Sequence, residues 1–135
     1  MSQKPLSPSV SLSPTPILSL YLSLIMLHSL CRPISWTRTS ETKSPIFVPF
    51  GDILSFVFLP GSNNVYWMPD KVAFDQCDFN KAKLISIFFL PPAYFPLTPA
   101  LNVGVGDTLY FASRYGNNCK KYDLKVEVHV VDRDN

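Results

Sequence analysis

A chain of 135 residues has room for one domain, and its 12 basic and 10 acidic side chains leave a net charge of only +2, without the electrostatic footprint a nucleic-acid binder needs. Its composition, 47% hydrophobic and 16% charged with 13 prolines and five glycines, suits strands and turns rather than long helices. Three cysteines are too few for a small disulfide scaffold and wrongly spaced for a structural zinc site.

Residues 1–45 are rich in Ser, Pro, Leu and Thr, and the start "PLSPSVSLSPTP" reads as disordered by composition. Within this segment the apolar run 17–31, "ILSLYLSLIMLHSLC", is shorter than the roughly 20 apolar residues of an ordinary membrane span. It suits the apolar core of a secretory signal or signal-anchor, although only Lys4 precedes it among basic residues and no small-residue cleavage motif follows. An unprocessed extension is the competing reading.

From Ile46 the texture changes to short apolar runs punctuated by Gly, Pro, Asn and Asp, which predicts an all-β domain over 46–131 and a short tail at 132–135. A strand is expected from Asp52 to Phe58, with Leu54, Phe56 and Phe58 on one face and Ile53 and Val57 on the other. Both faces are apolar, so it should be central. "PGSNN" supplies a turn and "VYWM" another strand, and Val72 to Phe74 are spaced for one helical turn opened by Pro69 and Asp70. "KAKLISIFFL" ends at Pro91-Pro92, and the proline-interrupted "AYFPLTPALNVG" is an edge or a loop. "GDTLYFASRY" is a strand. In the last strand Leu124, Val126, Val128 and Val130 face the core while Lys125, Glu127 and His129 face water. The near-repeat "GDILSF" and "GDTLYF" is explained as well by a shared strand-entry turn as by duplication.

No enzymatic constellation emerges. Asp70, Asp75 and Asp78 cluster around the helical turn, where helix-start and surface roles account for them. No serine sits in a nucleophile elbow, and "VGVGDT", with Gly104 and Gly106, lacks the Lys-Ser/Thr of a phosphate loop.

Five blocks in order, "FGDILSFVF", "PGSNNVYWMPDKVAFDQCDF", "PLTP", "GDTLYFAS" and "GNNCKKYDLKVEV", resemble the phytocyanins, the plant blue-copper family that includes early nodulin-like proteins. The resemblance runs from about Phe47 to Val131. It implies a cupredoxin-like Greek-key β-sandwich, a secretory pathway, and in some members one copper ion used for electron transfer. It also implies a disulfide between Cys77 and Cys119, against which stands the reading of two free, buried cysteines in a reducing compartment. The family's opening strands have no clear counterpart before Pro45, with Trp36 at best a remnant, so the expected sandwich lacks its N-terminal strands. No apolar tail follows the last strand, and the lipid anchor common in the family is not expected here.

Carried over residue by residue, the family's copper ligands do not appear. Asn63 stands where the first histidine would be, Ser113 where the cysteine would be, and Asn118 where the second histidine would be. The axial ligand would fall near Tyr122 or Asp123. Blue-copper sites need two imidazoles and a thiolate, so no metal and no cofactor is expected. The resemblance then implies a copper-free extracellular or membrane-associated module that binds a cell-wall glycan, peptide or protein, with blue-copper electron transfer as the alternative. An exposed aromatic patch of Tyr66 and Trp67 beside the "GSNN" turn is one candidate binding surface. Membrane association is expected only through the uncleaved N-terminal run.

Overall fold

A computed structural model describes residues 30–38, 44–86 and 91–133. The chain divides into two compact units, Met1–Cys31 and Arg32–Asn135. Almost all of the first, including the apolar run expected to act as a signal, lies outside the described residues, as do residues 87–90 of "LISIFFL". No described helix is long and apolar enough to cross a membrane.

Among the described residues the second unit is a β-sandwich of eight strands, β1 Cys31–Ser35, β2 Ile46–Pro49, β3 Ile53–Val57, β4 Tyr66–Met68, β5 Lys83–Leu84, β6 Ala93–Pro96, β7 Thr108–Ala112 and β8 Lys125–Val131. One sheet has the order β1-β3-β6 and the other β2-β8-β7-β4-β5. The chain crosses between the sheets from β1 through β4 and again on entering and leaving β6, while β4 with β5 and β7 with β8 pair within the larger sheet. In the larger sheet β2 runs parallel to β8, with Ile46 opposite Val128, while β7 pairs antiparallel with both β8 and β4.

The alternation of β8 is realised: Val126, Val128 and Val130 are buried and the residues between them are half-buried. Strand β3 is central in its sheet, as its apolar pattern predicts, and Leu54, Phe56 and Phe58 are buried. Its other face is covered only in part, with Ser55 buried, Ile53 half-buried and Val57 48% exposed, so centrality here means backbone pairing on both sides rather than full cover on both faces. Between the sheets Phe56 packs against Trp36 and Phe111 at ring-centroid distances of 5.0 and 5.1 Å, and Phe95 packs edge-on against Phe111 at 5.1 Å. Such pairs add stabilisation of about 1 kcal/mol each beyond their buried area.

The expected domain start at residue 46 is too late. Strand β1 joins β3, and Trp36, directly after it, is wholly buried with its Nε1 donating to the Asn64 carbonyl at 2.9 Å. The sandwich thus has an N-terminal strand. "CRPIS" hides it because the strand places only Ile34 in the core.

Helix α1, Lys71–Gln76, is a short turn on the outer face of the larger sheet, capped by Asp70, whose carboxylate accepts from Ala73 N at 2.9 Å. Phe74 and Ala73 pack with Met68, Ala112 and Cys119. Asp75 reaches Lys71 Nζ at 3.4 Å and Asp78 accepts from Asn80 N at 3.0 Å, so the three aspartates have the local roles expected of them.

The two "GD" segments share one device. Asp52 N donates to Pro49 O and Asp107 N to Gly104 O, each at 3.2 Å, and the third residue of each turn is a glycine with positive φ, +97° at Gly51 and +95° at Gly106. These are type II turns, whose third position favours glycine. In both, the glycine N–H and the aspartate carbonyl grip one residue of a neighbouring segment, Leu97 in the first and Val130 in the second. Asp52 is wholly buried, with Arg32 at its Oδ2 and Arg133 facing Oδ1 as an ion pair rather than through an aligned hydrogen bond.

Candidate functional site

Strands β3 and β7 point their C-terminal ends toward the same pole of the sandwich. After β3 the chain turns through Leu59 to Ser62, with Gly61 at φ +76° and Ser62 N and Oγ both donating to Leu59 O, at 3.1 and 2.6 Å. This turn delivers Asn63 and Asn64 into the interior. After β7, Ser113 N donates to Leu124 O at 3.0 Å, which keeps Ser113 in the ladder and wholly buried. The loop then bends at Gly116, φ +54°, and brings Asn118 back, with Leu124 N donating to its carbonyl at 2.9 Å.

Three of the expected positions meet here. Asn63 Oδ1 accepts from Ser113 Oγ at 2.7 Å and from Asn118 Nδ2 at 2.6 Å. Asn63 Nδ2 donates to Trp36 O at 3.0 Å, and Arg38 Nε donates to Asn118 Oδ1 at 2.9 Å. The two outer partners orient both amides: a carbonyl only accepts and a guanidinium only donates, so each asparagine has its nitrogen and oxygen assigned. Both lone pairs of Asn63 Oδ1 are used. Burial of three neutral polar side chains, each at most 3% exposed, is tolerable because each is hydrogen-bonded.

The fourth expected position is not part of this cluster. Asp123 has φ +53°, its side chain is 85% exposed, and its carboxylate lies 4.0 Å from Lys125 Nζ. Tyr122 is closer to the site, since the Arg38 guanidinium sits 4.5 Å over its ring. Tyr66 and Trp67 do not form one patch. As consecutive strand residues they point to opposite faces: Trp67 packs inward at 4.9 Å on Phe95, and Tyr66 outward at 5.3 Å on Phe79. His129 is half-buried on the outer face and contacts Glu127 at 2.5 Å, away from the pole.

Cys77 and Cys119 are joined in a disulfide with Cα atoms 6.0 Å apart and a sequence separation of 42. Cys77 caps α1 in the left-handed conformation, and Cys119 follows Asn118 directly. The bridge therefore ties the loop bearing Asn118 to the helix on the larger sheet.

Trp36, Arg38 and Asn64 complete the pole, and of the three only Asn64 carried a sequence signal of its role. Asn64 accepts from Arg114 N at 2.7 Å through Oδ1, so it holds the loop that follows Ser113. The doubled asparagine in "SNNV" was the available clue.

The donor set does not fit a type 1 copper ion. Such a site requires a thiolate and two imidazoles, whereas these are neutral amide and hydroxyl groups whose polar atoms already satisfy one another. Among the described residues no group of three His, Cys, Asp or Glu side chains is placed to hold a metal.

Fold and pole together define a cupredoxin-like β-sandwich. Solved structures with this fold include spinach plantacyanin, 20% identical with a TM-score of 0.54 over 74% of this chain and 98% of that one. Cucumber stellacyanin with Cu2+ is 25% identical, with a TM-score of 0.54 over 72% of this chain and 86% of that one. At 12% identity the fold also matches a chain of a human ephrin A2–ephrin A1 complex, with a TM-score of 0.52 over 75% of this chain and 98% of that one. No family model and no curated protein matches the sequence. The structural likeness supports the phytocyanin family that the five sequence blocks resemble.

Proposed function

We propose that this chain is a copper-free phytocyanin-like binding module, extracellular or membrane-associated, that engages a glycan, peptide or protein through the loops around its Asn63–Ser113–Asn118 pole. One observation carries the reading: the positions aligned with the family's strong copper ligands hold three buried side chains hydrogen-bonded to one another. A set closed in this way has a structural role, and leaves binding to the groups around its rim. The disulfide favours an oxidising compartment, where such bonds persist. That a chain of the same fold occurs in the ephrin A2–ephrin A1 complex is consistent with such a sandwich serving protein recognition. The module reading involves no catalysis.

Blue-copper electron transfer is the alternative, favoured by the likeness to cucumber stellacyanin with Cu2+. Titration of the purified protein with Cu(II) separates the two. The binding-module reading expects no intense visible absorption; an intense blue band means that it is wrong.

A further inference from the structure

The rim of the pole has a chemistry of its own. A cleft of about 410 Å³ opens above Asn63, lined by Thr37, Arg38, Leu59, Ser62 and Tyr115. Arg38 is exposed, its Nε is committed to Asn118, and its terminal nitrogens make no hydrogen bond among the described residues. They are held in place from behind by the hydrogen bond and from the side by the Tyr122 ring at 4.5 Å. A guanidinium fixed in this manner presents its fork to a carboxylate with little further loss of freedom.

A second cleft, of about 250 Å³, lies across the 113–119 loop and is lined by Phe79, Arg114 and Lys120 beside the disulfide. Arg114 stands 5.9 Å over the rings of both Tyr66 and Phe79, and Lys121 stands 5.5 Å over Tyr122. The pole thus gathers Arg38, Arg114, Lys120 and Lys121, whereas its nearby acid, Asp123, is paired with Lys125. Among the described residues, four cations at this end stand against one nearby acid.

We infer that this pole binds the carboxylates of a short acidic oligosaccharide, an inference that rests on the binding-module reading. Two clefts on either side of one loop each place a cation beside an aromatic side chain, the combination that a uronic-acid unit, with its carboxylate and apolar ring face, calls for. The carboxylate of each unit meets a cation, and the apolar face of its sugar ring lies against an aromatic or aliphatic surface such as Tyr115 or Leu59, which are 40% and 73% exposed.

Calorimetric titration of the full-length protein with a uronic-acid trimer and with its methyl ester tests this. The acid should bind and the ester should bind at least about tenfold more weakly, the value of one charged hydrogen-bonded contact. Arg38→Gln should weaken acid binding by about tenfold or more. If Arg38→Gln fails to fold through its link to Asn118, Lys120→Gln on the opposite side of the loop carries the same expectation of weakened binding. Equal binding of acid and ester, binding indifferent to both substitutions, or displacement of the trimer by an acidic peptide of equal affinity overturns the inference. A blue Cu(II) complex overturns the underlying module reading, whereas a colourless protein that ignores the trimer overturns this inference alone.

Discussion

Asn118 donates from Nδ2 to Asn63 Oδ1 at 2.6 Å, joining two buried amides 55 residues apart in the chain. Ser113 shares the same acceptor, so one oxygen ties the loop after β3 to both arms of the loop after β7. Where blue-copper relatives would gather these loops on a metal, this protein gathers them on Asn63.

Asn63→Ala should therefore be among the more damaging single changes. It removes the partner of the Ser113 hydroxyl, the Asn118 amide and the Trp36 carbonyl, and each buried group left unsatisfied costs about 1–3 kcal/mol. We expect a loss of about 3 kcal/mol or more in urea unfolding. A midpoint equal to that of the parent protein contradicts the network.

The same convergence predicts a gain of function. Asn63→His, Ser113→Cys and Asn118→His together place two imidazoles and a thiol where three side chains already meet. The triple variant should bind Cu(II) and develop strong visible absorption from the thiolate, and Ser113→Cys alone should not. A colourless triple variant that retains its fold would show that the three positions do not converge closely enough.

Cys77→Ser with Cys119→Ser opens a loop whose ends are 42 residues apart, which the chain-entropy model values at about 4 kcal/mol. Because Cys119 adjoins Asn118, the double variant should also loosen the pole. Amide hydrogen exchange should rise at residues 114–119 before it rises in β8; simultaneous exchange of both regions would count against local loosening.

Gly51→Ala and Gly106→Ala should cost similar amounts. A Cβ at either position meets nothing within 4 Å, so only the left-handed backbone resists substitution, at about 1–2 kcal/mol each. Thermal unfolding of the two variants checks this, and a large difference between them would mean that the turns are not equivalent.

At the opposite pole, Asp52 is wholly buried while Arg32 and Arg133 remain 48% and 43% exposed. The penalty is thus asymmetric. Arg32→Met with Arg133→Met leaves an uncompensated buried carboxylate and should destabilise by about 3 kcal/mol or more, whereas Asp52→Asn releases two arginines into water and should cost less. Denaturant titration of both variants decides it; the reverse order rejects the account.

Local chemistry carries its own record in the chain. The alternation of Val126, Val128 and Val130, the "GD" turns and the Asp70 cap are consequences of near-neighbour geometry, whereas the sandwich and the missing copper ligands were implied by the resemblance of the five blocks to the phytocyanins. Strand β1 and Trp36 could not, because a strand with one core residue has no periodicity and its place depends on pairing with β3. Nor could the roles of Arg38 and Asn64, whereas the separation of Tyr66 from Trp67 onto opposite faces follows from the alternation of the predicted strand. A sequence can say that histidines and a cysteine have been replaced by Asn63, Asn118 and Ser113. That the replacements bond to one another depends on folding that brings two loops, 50 and 55 residues apart in the chain, to within 3 Å of a single oxygen.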